Sequence, residues 1–150
     1  NSRLVIVGDG PDKLILKNLV KEKNLSNNVN FIGDISYDEI WNYYASADVF
    51  ILPTLQDNWP LVVPEAMKMG LPILLSKYAG SVPDLIKEGK NGYVFDPFNH
   101  RELAKLMLNY IENPQLIVEH GRNSQKIVEK YNPKNVADIF LKAAAVALNS

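Results

Sequence analysis

Alternation is the feature that most limits what this chain can fold into. Five short apolar runs, LVIV (4–7), NVNFIG (28–33), VFILP (49–53), PILLS (72–76) and GYVF (92–95), are separated by segments of helical character. Short apolar runs closed by turn residues read as buried strands. The intervening segments read as helices at 11–24, 36–47, 60–69 and 82–88. The remainder reads as helices at about 99–112, 114–130 and 133–149, punctuated by Pro114 and Pro133. Leu14, Leu16, Leu19 and Val20 recur near helical spacing, and Pro11 is tolerated in a first turn. Ser36 is the expected N-cap of the second helix, with Glu39 completing a capping box. Gly70 ends the third helix, and Pro72 prevents its continuation. Strands alternating with helices predict an α/β chain: a doubly wound, Rossmann-like parallel sheet of five visible strands with helices on both faces.

Composition narrows the function classes. A length of 150 residues suits one domain with a real core, and 47% apolar against 22% charged residues is a soluble globular balance. The net charge of −1 argues against nucleic acid as a partner. No cysteine is present, so disulfides, thiolate metal sites and a cysteine nucleophile are excluded, and a cytoplasmic protein is expected. No apolar run approaches the ~20 residues that span a bilayer.

Parallel sheets of this kind bind ligands beyond the carboxyl ends of their strands. The loops to inspect are therefore Gly8-Asp9-Gly10, Gly33-Asp34-Ile35, 53–60 and 77–81. Gly8 and Gly10 follow a strand and open a helix, as a phosphate loop does. A dinucleotide fingerprint would need a third glycine where Lys13 stands, and a tight strand-to-helix turn accounts for the pair equally well. The stretch DNWPLVVPE (57–65) says more. A helix starting near Pro60 has its first open N–H groups at Leu61, Val62 and Val63, a partial positive pole suited to a diphosphate. Glu65, one turn in, can accept two hydrogen bonds at once, as the adjacent hydroxyls of a ribose require. Asp57, before the helix, can hold hydroxyls of a sugar beyond the phosphates. The plainer alternative is that Asp57 or Asn58 caps the helix and Glu65 favours its dipole. Trp59 is expected to pack under the loop and fix Asp57 rather than face a cleft. His100 and His120 lie in the late helices and read as surface or helix-packing residues.

Together, Asp57, Glu65-Ala66-Met67, Gly70-Leu71-Pro72, Ala79-Gly80, Asp84 and Asn91-Gly92 form an ordered pattern. With VGDGP (7–11), FIGDI (31–35) and ASADVFILPT (45–54), the chain resembles the C-terminal, donor-binding half of GT-B glycosyltransferases, family 4 in particular, from about residue 3 to 130. The resemblance implies retaining transfer of a sugar, of hexosyltransferase type, from a nucleotide sugar to a glycan, lipid or other acceptor. It implies a ribose contact at Glu65, a donor-sugar contact at Asp57 and diphosphate contacts at the N–H groups of Leu61 and Val62. Gly33, Asp34 and Ile35 would flank the base. No metal or other cofactor is implied, and the sequence holds no Asp-x-Asp motif.

The chain departs from the family pattern in places. Asp57 replaces the commoner Glu, and Pro60 a frequent Gly. The expectation is a fragment of 1–150 lacking the family's first strand-helix unit, with its Arg and Lys. The N-terminal acceptor domain is missing on this reading too, so no catalytic residue is assigned. Peripheral membrane association, at the inner face, would come only through that domain. Without a central first strand, the sheet is expected to close by direct pairing of residues 4–8 with 49–53, in the order 2-1-3-4-5. The alternatives are a nucleotide-sugar epimerase half of the same architecture and a non-catalytic flavodoxin-like binding module. A receiver domain would want an acid at the end of the third strand, where Leu52-Pro53-Thr54 stands.

Overall fold

The computed structural model describes residues 2–148. Two compact units follow one another, the first ending at Tyr43 and the second beginning at Tyr44. In the first, β1 (Leu4–Val7) and β2 (Val29–Gly33) pair in parallel around α1 (Lys13–Glu22), with Leu4 beside Val29 and Ile6 beside Phe31. Helix α2 (Tyr37–Ser46) runs from this unit into the next. Its capping box forms as the sequence predicts. Ser36 N–H and O–H donate to Glu39 Oε2 at 2.9 and 2.7 Å, and the Glu39 N–H returns to Ser36 Oγ at 3.4 Å. Those bonds, the Ser36 side chain first, hold the Glu39 carboxyl below its ordinary pKa.

The second unit carries β3 (Phe50–Leu52), α3 (Val62–Lys68), β4 (Ile73–Ser76), α4 (Val82–Leu85), β5 (Gly92–Phe95), α5 (His100–Glu112), α6 (Gln115–Val128), a 3₁₀ turn (Glu129–Tyr131) and α7 (Pro133–Leu148). Its sheet has the order β3-β4-β5, all parallel, with Phe50 beside Ile73 and Leu74 beside Tyr93. Every residue of β4 is buried, as a strand covered on both faces requires. Leu74 packs with Phe95 of β5 and Tyr110 of α5. Alternation turns Ile73 and Leu75 to the opposite face, and both are fully buried. Helix α3, with Val63, Ala66 and Met67 fully buried, lies against β4 and α6.

Two glycines set how closely these layers approach. A Cβ on Gly92 would lie 1.8 Å from the Ile73 carbonyl oxygen, and one on Gly121 of α6 would lie 2.0 Å from that of Gly70. Gly70 itself ends α3 at φ +79°, which favours glycine.

Four expectations need correction. The strands form two sheets, β1-β2 and β3-β4-β5, and direct pairing of residues 4–8 with 49–53 is absent among the described residues. Each sheet is complete within its own unit, β1 and β2 before Tyr44 and β3, β4 and β5 after it. LVIV is also not a buried strand. Leu4, Val5 and Val7 are exposed, because among the described residues β1 has a ladder partner only in β2. Likewise α1 forms, but Leu14, Leu16 and Leu19 stay exposed and only Val20 is half-buried, since a two-stranded sheet offers one helix a narrow seat. The helices at 11–24, 60–69 and 82–88 are shorter than predicted, and the last is a single turn.

His120 proves to be a packing residue, buried in the core of the second unit. Its Nδ1 meets the Tyr110 hydroxyl at 2.8 Å, and its ring lies 5.7 Å from that of Tyr93. Burial lowers its pKa below the ordinary 6.5, against smaller raising effects of Glu119 and the Gly89 backbone. The same burial raises the Tyr110 phenol. As pH falls, the unfolded chain therefore takes up the proton first. The stability this provides is complete above about pH 6.5 and is lost as pH falls from there through the folded-state pKa. Urea midpoints measured at pH 7.5 and pH 5 should fall more for the wild type than for His120→Gln. Equal losses would remove His120 as the cause.

Candidate functional site

In the second unit, the loops after β3 and β4 are locked together through backbone. The Gly80 N–H donates to the Asp57 carbonyl at 2.8 Å, and Asp57 bridges to Ala79. A Cβ at Gly80 would lie 2.4 Å from the Asn58 carbonyl oxygen, so only glycine allows this approach. Asp57 Oδ1 also accepts the Trp59 N–H at 3.0 Å, a two-residue Asx turn within the loop rather than a cap on α3. The Trp59 indole rests 5.7 Å from the Tyr131 ring and is 38% exposed. Burial raises the Tyr131 phenol above its ordinary pKa, with Asp84 adding to the shift.

Helix α3 then begins. The Val63 N–H is taken by the Pro60 carbonyl at 3.1 Å and the Glu65 N–H by the Leu61 carbonyl at 3.3 Å. Val63 is thus removed from the expected set of open donors. Among the described residues, the N–H groups of Leu61 and Val62 meet no hydrogen-bond acceptor. Glu65 is half-buried, and its Oε2 accepts the hydroxyl of Tyr44 at 3.1 Å. Tyr44, in the last turn of α2 and 4% exposed, was not among the residues singled out from sequence. Its only signal is its place next to ASADVF on the inward side of a helix, and nothing in the sequence points across 21 positions to Glu65.

At the far ends of β4 and β5, Lys77 Nζ pairs with Asp96 Oδ2 at 2.7 Å. That bond raises the Lys77 pKa and lowers that of Asp96. Asn91 is structural. Fully buried, it accepts the Lys87 N–H at 2.7 Å and donates to the Leu85 carbonyl at 2.9 Å, shaping the turn into β5.

In the first unit, Gly8 (φ +112°) and Gly33 (φ +88°) face each other at the strand ends, the Gly8 N–H donating to the Gly33 carbonyl at 2.8 Å. The Gly10 N–H donates to Asp9 Oδ1 at 2.8 Å, and Lys13 closes the loop by pairing with Asp9 Oδ2. Lys13, ahead of the Gly10 backbone, holds the Asp9 carboxyl below its ordinary pKa. Gly33 is buried, Asp34 exposed and Ile35 half-buried.

A family model described as Glycosyl transferases group 1 matches residues 1–130. The chain belongs to this family. It is 32% identical to the alpha-monoglucosyldiacylglycerol synthase of Acholeplasma laidlawii over 87% of its own length and 32% of that protein's. The solved C-terminal domain of the group 1 glycosyltransferase LpcC from Francisella tularensis superposes with a TM-score of 0.78 at 25% identity, covering 87% of this chain and 70% of that one. Anabaena HepE, crystallised with UDP, superposes with a TM-score of 0.81 at 25% identity, over 99% of this chain and 41% of that one. The fold is the Rossmann-like one of the C-terminal half of GT-B glycosyltransferases, with the parallel strands and flanking helices read from sequence. The chain spans about a third of the length of the curated relatives it matches. Within the family pattern, Gly80 and Asn91 are the residues whose structural reasons are plainest: one admits a neighbouring backbone, the other ties a turn.

Gly80→Ala must displace the 57–59 loop, and its expected cost is that of overpacking, about 1–3 kcal/mol. Gly10→Ala, where a Cβ meets open space, is the control and should cost far less. Denaturant titration of the two variants checks this. Equal stability would mean the two loops are not rigidly coupled.

Proposed function

We propose that this chain is the donor-binding half of a retaining glycosyltransferase, of family 4 and hexosyltransferase type, that uses a nucleotide-diphosphate sugar without a metal. Family membership supports sugar transfer as the reaction class. The observation that carries the reading within the site is Glu65, held by Tyr44 one turn beyond the open N–H groups of Leu61 and Val62. HepE, a relative in fold, was crystallised with UDP, and that ligand has the three parts these groups suit. The Glu65 carboxylate would accept the ribose hydroxyls. The Leu61 and Val62 N–H groups would face the diphosphate. As the bond from the sugar C1 to the phosphate oxygen breaks, negative charge gathers on the departing diphosphate, where fixed N–H donors are most useful. Asp57 keeps one carboxylate oxygen beyond its bond to the Trp59 N–H, and would contact the donor sugar.

In the first unit, Gly33, Asp34 and Ile35 are proposed to flank the base. A phosphate contact at Gly8 or Gly10 would require Asp9 to release the Gly10 N–H, or Gly33 to release that of Gly8. The acceptor would be bound by a part of the enzyme outside this chain.

The test is titration of the 150-residue chain with UDP, GDP, ADP and their sugar conjugates, followed by ligand-observed NMR. One base is expected to bind, and Glu65→Ala should weaken that binding by the worth of a charge-assisted contact, about 1.5–3 kcal/mol. Unchanged affinity would sink the ribose assignment. On this reading the 150 residues alone should release no nucleoside diphosphate from the sugar conjugate with an acceptor present, because their site groups are assigned to the donor and none to excluding water or activating an acceptor. Sustained turnover would show that the chain is catalytically sufficient.

A further inference from the structure

We propose that Tyr44 is a positioning residue of the donor site. Its hydroxyl sets the Glu65 carboxylate so that both hydroxyls of a ribose are accepted, which makes the site selective for ribonucleoside over 2′-deoxyribonucleoside diphosphates. The inference rests on the reading of Glu65 as the ribose acceptor.

The geometry is specific. Tyr44 is 4% exposed, and its ring meets the edge of Phe50, the first residue of β3, at 5.9 Å between centroids and 68° between planes. A phenol this buried needs a partner for its O–H, and Glu65 Oε2 accepts it at 3.1 Å. The ring is thus anchored on the sheet while its polar tip reaches α3. Glu65 has three rotatable side-chain bonds, and a half-buried carboxylate would otherwise sample several rotamers. The bond from Tyr44 selects among them before any ligand arrives.

The same bond leaves the carboxylate usable. An ionised carboxylate has two oxygens and about four lone-pair sites. Tyr44 takes one on Oε2, so both oxygens keep room for an incoming O–H. A neutral phenol also leaves the negative charge in place, where a lysine or arginine partner would neutralise it. The 2′ and 3′ hydroxyls of a ribose present two donors side by side. A carboxylate fixed in orientation meets both, and a 2′-deoxyribose leaves one acceptor position empty. Because the ribose is common to all ribonucleotides, the effect should not depend on the base.

The experiment uses the 150-residue chain with whichever of UDP, GDP or ADP binds best, beside its 2′-deoxy form. Both affinities are measured by calorimetric titration for the wild type, Tyr44→Phe, Glu65→Gln and the double variant, with a thermal melt of each. Tyr44→Phe keeps the ring and its contact with Phe50, so its melt should remain cooperative. The expected result is a loss of about three- to tenfold in affinity for the ribonucleotide, with the 2′-deoxy form little affected. The ratio of the two then falls towards that of Glu65→Gln, and the double variant shows no further fall. A merely structural role for Tyr44 would weaken both ligands alike and leave the ratio intact, which would overturn the proposal. Retention of the wild-type ratio by Tyr44→Phe while Glu65→Gln loses it would overturn the positioning role alone. Retention of the ratio by Glu65→Gln would instead overturn the ribose reading on which it rests.

Discussion

Much of the second unit depends on the burial of β4. Ile73 to Ser76 are inaccessible to solvent and hydrogen-bonded to β3 on one edge and β5 on the other. A strand in that position must satisfy its backbone entirely through its neighbours. Each neighbour is therefore held in register, and the close contacts follow. Gly92 lacks a Cβ because the Ile73 carbonyl occupies the space, and Gly80 lacks one because the chain leaving β4 passes beneath Asn58. The site loops are set by the strand they leave. Asp57 and Ala79 are brought into a bridge because β3 and β4 end side by side.

This explains why the polar groups of the candidate site stand on short, stiff connections. Asp57 uses one carboxylate oxygen to hold the Trp59 N–H and its carbonyl to hold the Gly80 N–H, so its position is tied to the backbone at two residues. Glu65 is determined differently, by a side chain from another helix. The Tyr44 hydroxyl reaches it from a ring anchored on Phe50. One acid is oriented by the loop that carries it and the other by tertiary packing. Loop geometry can be guessed from a local stretch of sequence, whereas packing across 21 residues cannot.

Membership of the group 1 glycosyltransferases does not make every residue of the shared pattern a ligand contact. Asn91 spends both ends of its amide on the turn between α4 and β5. Gly70 ends a helix and meets Gly121 of α6. His120, which a search for catalytic histidines would find first, is sealed against Tyr110 and Tyr93, and its burial disfavours the charged form. Such residues preserve the frame on which site residues can be placed, and a pattern match alone cannot separate the two kinds.

The sequence by itself determined the order and type of the elements, because hydrophobic period, capping residues and glycine stops are local signals. All five strands appear where the apolar runs stand, the Ser36–Glu39 box closes, and Gly70 ends α3. The placing of Leu61, Val62 and Glu65 at the start of a helix after β3 was equally legible, since a strand, a loop with proline and a helix can be read in one stretch. Burial and pairing were not. LVIV has the composition of a buried strand, yet β1 is largely exposed, because burial depends on how many strands and helices gather around a run. Two sheets rather than one is a decision of the same kind, since which strands pair depends on contacts far apart in sequence. The open or engaged state of individual N–H groups, Val63 closed and Leu61 and Val62 open, turned on where a helix begins to the nearest residue. The bond from Tyr44 to Glu65 joins residues that only the folded chain brings within 3.1 Å, and no local pattern encodes a contact between two helices whose distance is set by the sheet between them in sequence.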